Sequence, residues 1–320
     1  MYKLNKPVIP VNRLLAIKRL LIVSCTALVC VFLIACEQTN QQSANKERPS
    51  QAPVGKHLFL FTQWQGPAIK VWAYKPKAYN QHTKVLFVMH GTNRDADRYR
   101  DEWADHAEQN NILLIVPQFS REDFPGADGY NLGNMFAAGS DYQSKNIKAQ
   151  WSYSAIEPLF SYVKRAYQNT QSTYMMYGHS AGSQFVHRFI YFVPEARASK
   201  IISANAGWYT MPNFELNFPY GLKNTTATQA DITKALQKPL LVLLGEDDND
   251  PNHRSLRKAE QAMLQGPHRL ARGHTFFAQA QLKAHTQNID FEWQLVTVPN
   301  VGHQNGLMAK AAIEYLMQDE

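Results

Sequence analysis

The stretch STYMMYGHSAGSQFVHRFI, Ser172–Ile190, decides how this chain is to be read. It begins with a short apolar run, Thr173–Tyr177, and ends in a segment with helical character, Ala181–Phe192. Between them stand Gly178, His179, Ser180, Ala181 and Gly182. A strand, then G-x-S-x-G, then a helix is a nucleophile elbow, a turn so sharp that the central serine is lifted into solvent. The positions two before and two after the serine must be small, because strand and helix nearly touch there. The first amides of the helix point toward the place where an oxyanion would form. Chance occurrence of the five-residue pattern is the alternative, and the flanking strand and helix weigh against it.

Outward from the elbow the chain alternates. HLFLFTQ and AIKVWAY predict a strand pair around Gly66-Pro67. KVLFVMHG (84–91), ILLIVPQF (112–119), KIISANAG (200–207) and KPLLVLLG (238–245) are apolar runs, as expected of strands covered on both faces. DFEWQLVTVP (290–299) predicts one more strand. Helices are expected over 95–110, 151–168, 181–192 and 306–317. Strands alternating with helices argue for a parallel sheet layered by helices, with its active site beyond the carboxyl ends of the strands.

A serine needs a base at neutral pH. Of 11 histidines, His303 in VPNVGHQNG stands just past the last expected strand and before a helix. His253, His268, His274 and His285 occupy polar or helical stretches, where surface roles are expected. An acid to orient the imidazole is offered by LLVLLGEDDNDPNH, which contains Asp247, Asp248 and Asp250. The bland reading of that cluster is a solvated acidic turn.

With these motifs in place, residues 57–317 resemble an α/β-hydrolase. GHSAG, the HG pair His90-Gly91 and VGH are most similar to the polyhydroxybutyrate depolymerase and feruloyl esterase branch of that family. The resemblance implies a triad of Ser180, Asp248 and His303, the acid standing three residues after the glycine that ends its strand. It also implies oxyanion donors on the backbone of Thr92 and Ala181. Carboxylic esters are the implied substrates, with a peptidase of the same fold as the nearest enzymatic alternative. A non-catalytic binding lipoprotein is the rival from another class. No cofactor is required by this chemistry, and the chain lacks a P-loop, a dinucleotide loop and an H-E-x-x-H motif.

The ends of the chain add context. Formal net charge is +7, but residues 1–35 hold Lys3, Lys6, Arg13, Lys18 and Arg19 and no acid. Without those five, 28 basic residues face 26 acidic ones, so no nucleic-acid partner is indicated. The charges precede an apolar run, Leu20–Ala35, the layout of an export signal. A transmembrane anchor is the alternative, but the run is short for roughly 30 Å of hydrocarbon. Leu33-Ile34-Ala35-Cys36 resembles the lipobox of bacterial lipoproteins, which implies lipidation of Cys36 and attachment to a membrane. Glu37, rather than Asp, tilts the expected location to the outer membrane. Cys25 and Cys30 lie within the signal, so no disulfide framework is expected. Residues 37–55 are polar and predict a tether, followed by one catalytic domain over 56–320 that acts as a monomer.

Two loops leave strand ends near the expected site. The first, 121–142, offers Tyr130 and Phe136, and the second, 205–212, offers Trp208 and Tyr209. These aromatics are expected either to line a substrate pocket or to close the loops onto the sheet. QGPHRLARG (265–273), with Arg269 and Arg272, reads as a solvated basic loop or a site for an acidic group.

Overall fold

Eight apolar segments of this chain pair into one sheet, and all eight were expected. They are β1 (Gly55–Phe61), β2 (Ile69–Lys75), β3 (Lys84–Met89), β4 (Ile112–Gln118), β5 (Tyr174–His179), β6 (Ala198–Ala204), β7 (Leu240–Gly245) and β8 (Gln294–Val298). The structure is a computed structural model and describes residues 52–318. The expected export signal, Cys36 and most of the tether lie outside those residues. The strand order is β1-β2-β4-β3-β5-β6-β7-β8. β2 runs antiparallel to both its neighbours, and every pairing from β4 to β8 is parallel.

Among the described residues seven α-helices accompany the sheet: α1 (Ala96–Gln109), α2 (Ile156–Ala166), α3 (Ala181–Phe192), α4 (Gln229–Leu236), α5 (Glu260–Met263), α6 (Arg269–Gln287) and α7 (Asn305–Met317). On one face Tyr99 and Trp103 of α1 and Met308 and Leu316 of α7 cover Leu86, Val88, Leu114 and Tyr177. On the other, Leu159 and Phe160 of α2, Phe185 and Phe189 of α3, and Phe276 and Ala280 of α6 cover Phe87, Met176 and Val242. That double cover explains why β5 and β7 are buried at every position. β1, at the edge, instead alternates between sheltered and exposed side chains.

Four elements differ from expectation, one of them the short α5, which was not expected. The helix expected from 151 begins only at Ile156, because Trp151 is extended, and Pro158 sits in the first turn, where no amide is missed. α4 is capped by a Thr228–Asp231 box, a T-x-x-D signal present in the sequence. The basic stretch read as a loop is instead the start of α6, a 19-residue helix. Its buried stripe is Arg269, Arg272, Gly273, Phe276, Ala280 and Ala284. Because arginines occupy the first positions of that stripe, an apolar period is invisible there.

Candidate active site

Ser180 sits between β5 and α3 with φ 59° and ψ −114°, a conformation costly for any residue with a side chain. The surroundings enforce it. A Cβ on Gly178 would stand 2.2 Å from the Gly182 carbonyl oxygen, and one on Gly182 would stand 1.9 Å from that of Met89. Only glycine lets β5, α3 and the end of β3 approach so closely. The Ser180 amide donates to the Ala204 carbonyl at 3.1 Å, fixing the elbow to the end of β6.

Loops from the ends of β7 and β8 bring two more residues to Ser180. His303 Nε2 lies 3.0 Å from Ser180 Oγ, and His303 Nδ1 lies 2.6 Å from Asp248 Oδ2. An ionised carboxylate only accepts, so Nδ1 carries the proton and Nε2 is left to accept from the serine hydroxyl. Asp247 and Asp250 are exposed; Asp248, 4% exposed at its side chain, is the one of the three that reaches His303. Burial works to raise the Asp248 pKa. The hydrogen bond from His303 and the charges of His303 and Arg269 outweigh it and hold the carboxyl below its ordinary value.

Arg269, read in the sequence only as part of a basic loop or a site for an acidic group, is a neighbour of Asp248 that sequence reasoning missed. Its side chain is 3% exposed, and its Nη1 donates to the second Asp248 oxygen at 2.9 Å. Its Nη2 donates to Ser255 Oγ at 2.9 Å and to His253 Nδ1 at 3.2 Å. His253, expected at the surface, therefore flanks the site, its ring 6.1 Å from that of His303. Arg272 is also buried, but it binds the carbonyls of Gly266, Gly207 and Arg257. Asn205, just past β6, was likewise missed. Its Oδ1 accepts from the Gly245 amide at 2.8 Å and its Nδ2 donates to the Gly302 carbonyl at 3.1 Å. One side chain thus joins the loop that carries Asp248 to the loop that carries His303. Its φ of 50° suits asparagine, a tolerated residue in the left-handed region.

Thr92 and Ala181 both border the space around Ser180. Ala181 is the first residue of α3, so its amide has no partner within the helix. The Thr92 carbonyl accepts from Arg121 Nη2 at 2.9 Å. Two residues on, buried Arg94 donates to the carbonyls of Phe119, Phe124 and Gly126. His90 is structural: its Nδ1 donates to the Gly91 carbonyl and its Nε2 accepts from the Phe119 amide. Burial lowers its pKa to about 4, so it stays neutral. Burial also keeps His179 and His187 neutral, with pKa values well below the ordinary one.

Of the four aromatics offered for a pocket, only Trp208 borders the space beside Ser180. Tyr130 is fully buried, donating to the His90 carbonyl at 2.8 Å and stacked on Phe119. Phe136 faces a separate cavity with Tyr142 and Phe218. Tyr209 is buried against Phe276. The loop-closing reading fits all three: Tyr130 and Tyr209 are closed within the core, and Phe136 packs on Tyr142 and Phe218 beside its own cavity, which Ser180 does not border.

Two recesses meet at Ser180. One, of about 440 Å³, lies on the His303 side and includes Gly91, Asp95, Arg98, Glu102 and His179. The other, of about 300 Å³, lies on the Ala181 side and includes Gln184, Trp208, Arg121 and Arg257.

No family model matches the sequence, and no curated protein matches it. Solved structures do. Poly(aspartic acid) hydrolase-1 from Sphingomonas sp. KT-1 is 41% identical, with 83% of this chain and all of that one aligned at a TM-score of 0.81. LpqC, a poly(3-hydroxybutyrate) depolymerase from Bordetella parapertussis, is 30% identical over 83% of this chain and 90% of its own, at 0.78. An S-formylglutathione hydrolase from Agrobacterium tumefaciens, 14% identical at 0.52, shares the fold. The chain belongs to the α/β-hydrolase family and is a serine hydrolase. The likeness to polyhydroxybutyrate depolymerases expected from its motifs is met by LpqC.

Proposed function

We propose that this protein hydrolyses carboxylic esters through Ser180, His303 and Asp248, by way of an acyl-enzyme. The observation that carries the reading is the unbroken hydrogen-bond chain from Ser180 Oγ through His303 to Asp248. Ser180 Oγ bonds to the carbonyl carbon while its proton passes to His303 Nε2. Negative charge gathers on the carbonyl oxygen, where the Thr92 and Ala181 amides donate. Each such donor is worth about 10²–10³-fold in rate. As the tetrahedral species collapses, the C–O bond breaks and His303 returns the proton to the leaving alcohol. Water then repeats the sequence against the acyl-enzyme, with His303 as base, and frees the acid and Ser180. Throughout, Asp248 holds the imidazole in the required tautomer and stabilises its charged form.

Amide cleavage is the second reading, and the 41%-identical relative named for poly(aspartic acid), a polymer joined through amides, favours it. We propose in addition that the chain is exported, cleaved before Cys36 and lipidated there, which would hold the domain at a bacterial membrane surface. The basic, apolar and LIAC segments support this.

Labelling with a fluorophosphonate tests the chemistry. A single adduct mapped to Ser180 and lost in His303→Ala is the expected result, and a folded protein that takes no label would overturn it. Metabolic labelling with a fatty-acid analogue tests the anchor: label should be incorporated by the natural chain and not by Cys36→Ser.

A further inference from the structure

The recess on the Ala181 side has a charge that the ester reading does not use. Among the described residues four arginines border it, Arg94, Arg121, Arg257 and Arg269, and no aspartate or glutamate does. Two of them are committed elsewhere, Arg94 to three carbonyls and Arg269 to Asp248. The other two are exposed and form no ion pair among the described residues.

Both free guanidinium groups are held in place. Arg121 donates through Nη2 to the Thr92 carbonyl, which leaves its Nη1 and Nε available. Arg257 donates through Nε to Tyr220 Oη at 2.7 Å and lies 4.9 Å from the Trp208 ring centroid, so both its Nη groups remain available. A planar guanidinium with its stem fixed suits a carboxylate.

A third cation strengthens the field. Arg188 is fully buried, 4.3 Å from the Trp208 ring centroid, and donates to Thr210 and to the Gln184 carbonyl. Among the described residues it meets no carboxylate, and its Nη2 has no hydrogen-bond partner. Trp208 and Gln184 border the recess, so this charge lies just behind its wall.

Position in the reaction fixes which part of a substrate meets these arginines. His303 must protonate the leaving group, so the leaving group occupies the recess that His303 borders. The acyl portion then takes the opposite recess. We infer that this enzyme selects acyl groups bearing a free carboxylate, such as monoesters of dicarboxylic acids or chains of acidic units, and that Arg257 and Arg121 bind that carboxylate. The inference rests on the proposed hydrolysis at Ser180.

The test compares two activated esters on the full-length protein, the 4-nitrophenyl monoester of glutaric acid and neutral 4-nitrophenyl butyrate. The expected kcat/KM is about 10–100-fold higher for the monoester, as a charged hydrogen-bonded pair would give. In Arg257→Gln the monoester should lose about tenfold more than the butyrate, mainly through KM. Glutarate should also slow fluorophosphonate labelling of the natural enzyme more than that of Arg257→Gln. Equal turnover of both esters, an equal loss in the variant and no difference in protection would overturn the inference while leaving the ester reading intact. No turnover of either ester and no label on Ser180 would remove both.

Discussion

The two sides of Ser180 differ in charge: carboxylates border the recess on the His303 side, and among the described residues none borders the recess on the Ala181 side. On the His303 side Arg98 holds Asp95 and Glu102, while Arg254 is exposed and forms no ion pair among the described residues. On the Ala181 side Arg269 holds Asp248, and the other three arginines, Arg94, Arg121 and Arg257, face backbone carbonyls, aromatic rings or open space. Internal pairs fix geometry and are costly to break when buried, whereas unpaired surface cations add little to folding. The difference teaches that Arg121 and Arg257 meet no carboxylate of the chain's own in the recess they border, among the described residues.

The largest effects should come from breaking the machinery. Ser180→Ala or His303→Ala should lower kcat/KM on an activated ester by about 10⁶-fold, and Asp248→Asn by about 10⁴-fold. Steady-state kinetics would show it, and a variant within tenfold of the natural enzyme would dissolve the assignment. Arg269→Met comes next. It leaves a buried carboxylate with one partner fewer and should cost about 3–5 kcal/mol in denaturant unfolding. Its loss should also let the Asp248 pKa rise. A depressed carboxyl contributes stability that is full above its unfolded pKa and lost as pH falls through the lower folded one. The variant should therefore lose that contribution at a higher pH.

Asn205→Ala should be milder, with a loss of about 1–3 kcal/mol and a fall in kcat greater than any change in KM, because it loosens two loops and touches no substrate. A separate effect is that of pH on the whole fold. His90, His179 and His187 have folded pKa values below the ordinary 6.5, His90 at about 4. The unfolded chain takes up protons first, so stability should fall as pH drops from 6.5 toward 4. The slope should be about 1.4 kcal/mol per pH unit for each histidine. A flat profile of unfolding free energy over that range would contradict their burial as neutral rings.

The strands and the elbow were legible in the sequence because their constraints are local. A run such as LLVLLG admits few structures, and a serine flanked by Gly178 and Gly182 admits fewer. His303 and the acidic cluster could be found because chain order places them after particular strands. Choosing Asp248 needed a family resemblance, since three carboxylates in four positions look alike until one is seen to reach the ring. Arg269 and Asn205 could not be read: each acts through contacts far away in the chain, on residues from other strand ends. The aromatics misled because Tyr130, Phe136 and Tyr209 satisfy any pocket by composition, while only tertiary packing decides which rings are covered.

Asn205 also divides the molecule for anyone who would redesign it. The turns bearing Asp248 and His303 are pinned to each other through the Asn205 amide and through the Asp247 amide, which donates to the Val301 carbonyl, so neither can be exchanged without its mate and without that asparagine. Arg257 and Arg121 lie outside that pinned unit, on stretches tied to Tyr220 and Thr92 instead. Selectivity in this scaffold should thus be transplantable by grafting those segments from relatives, while the reactive centre travels only as an intact block.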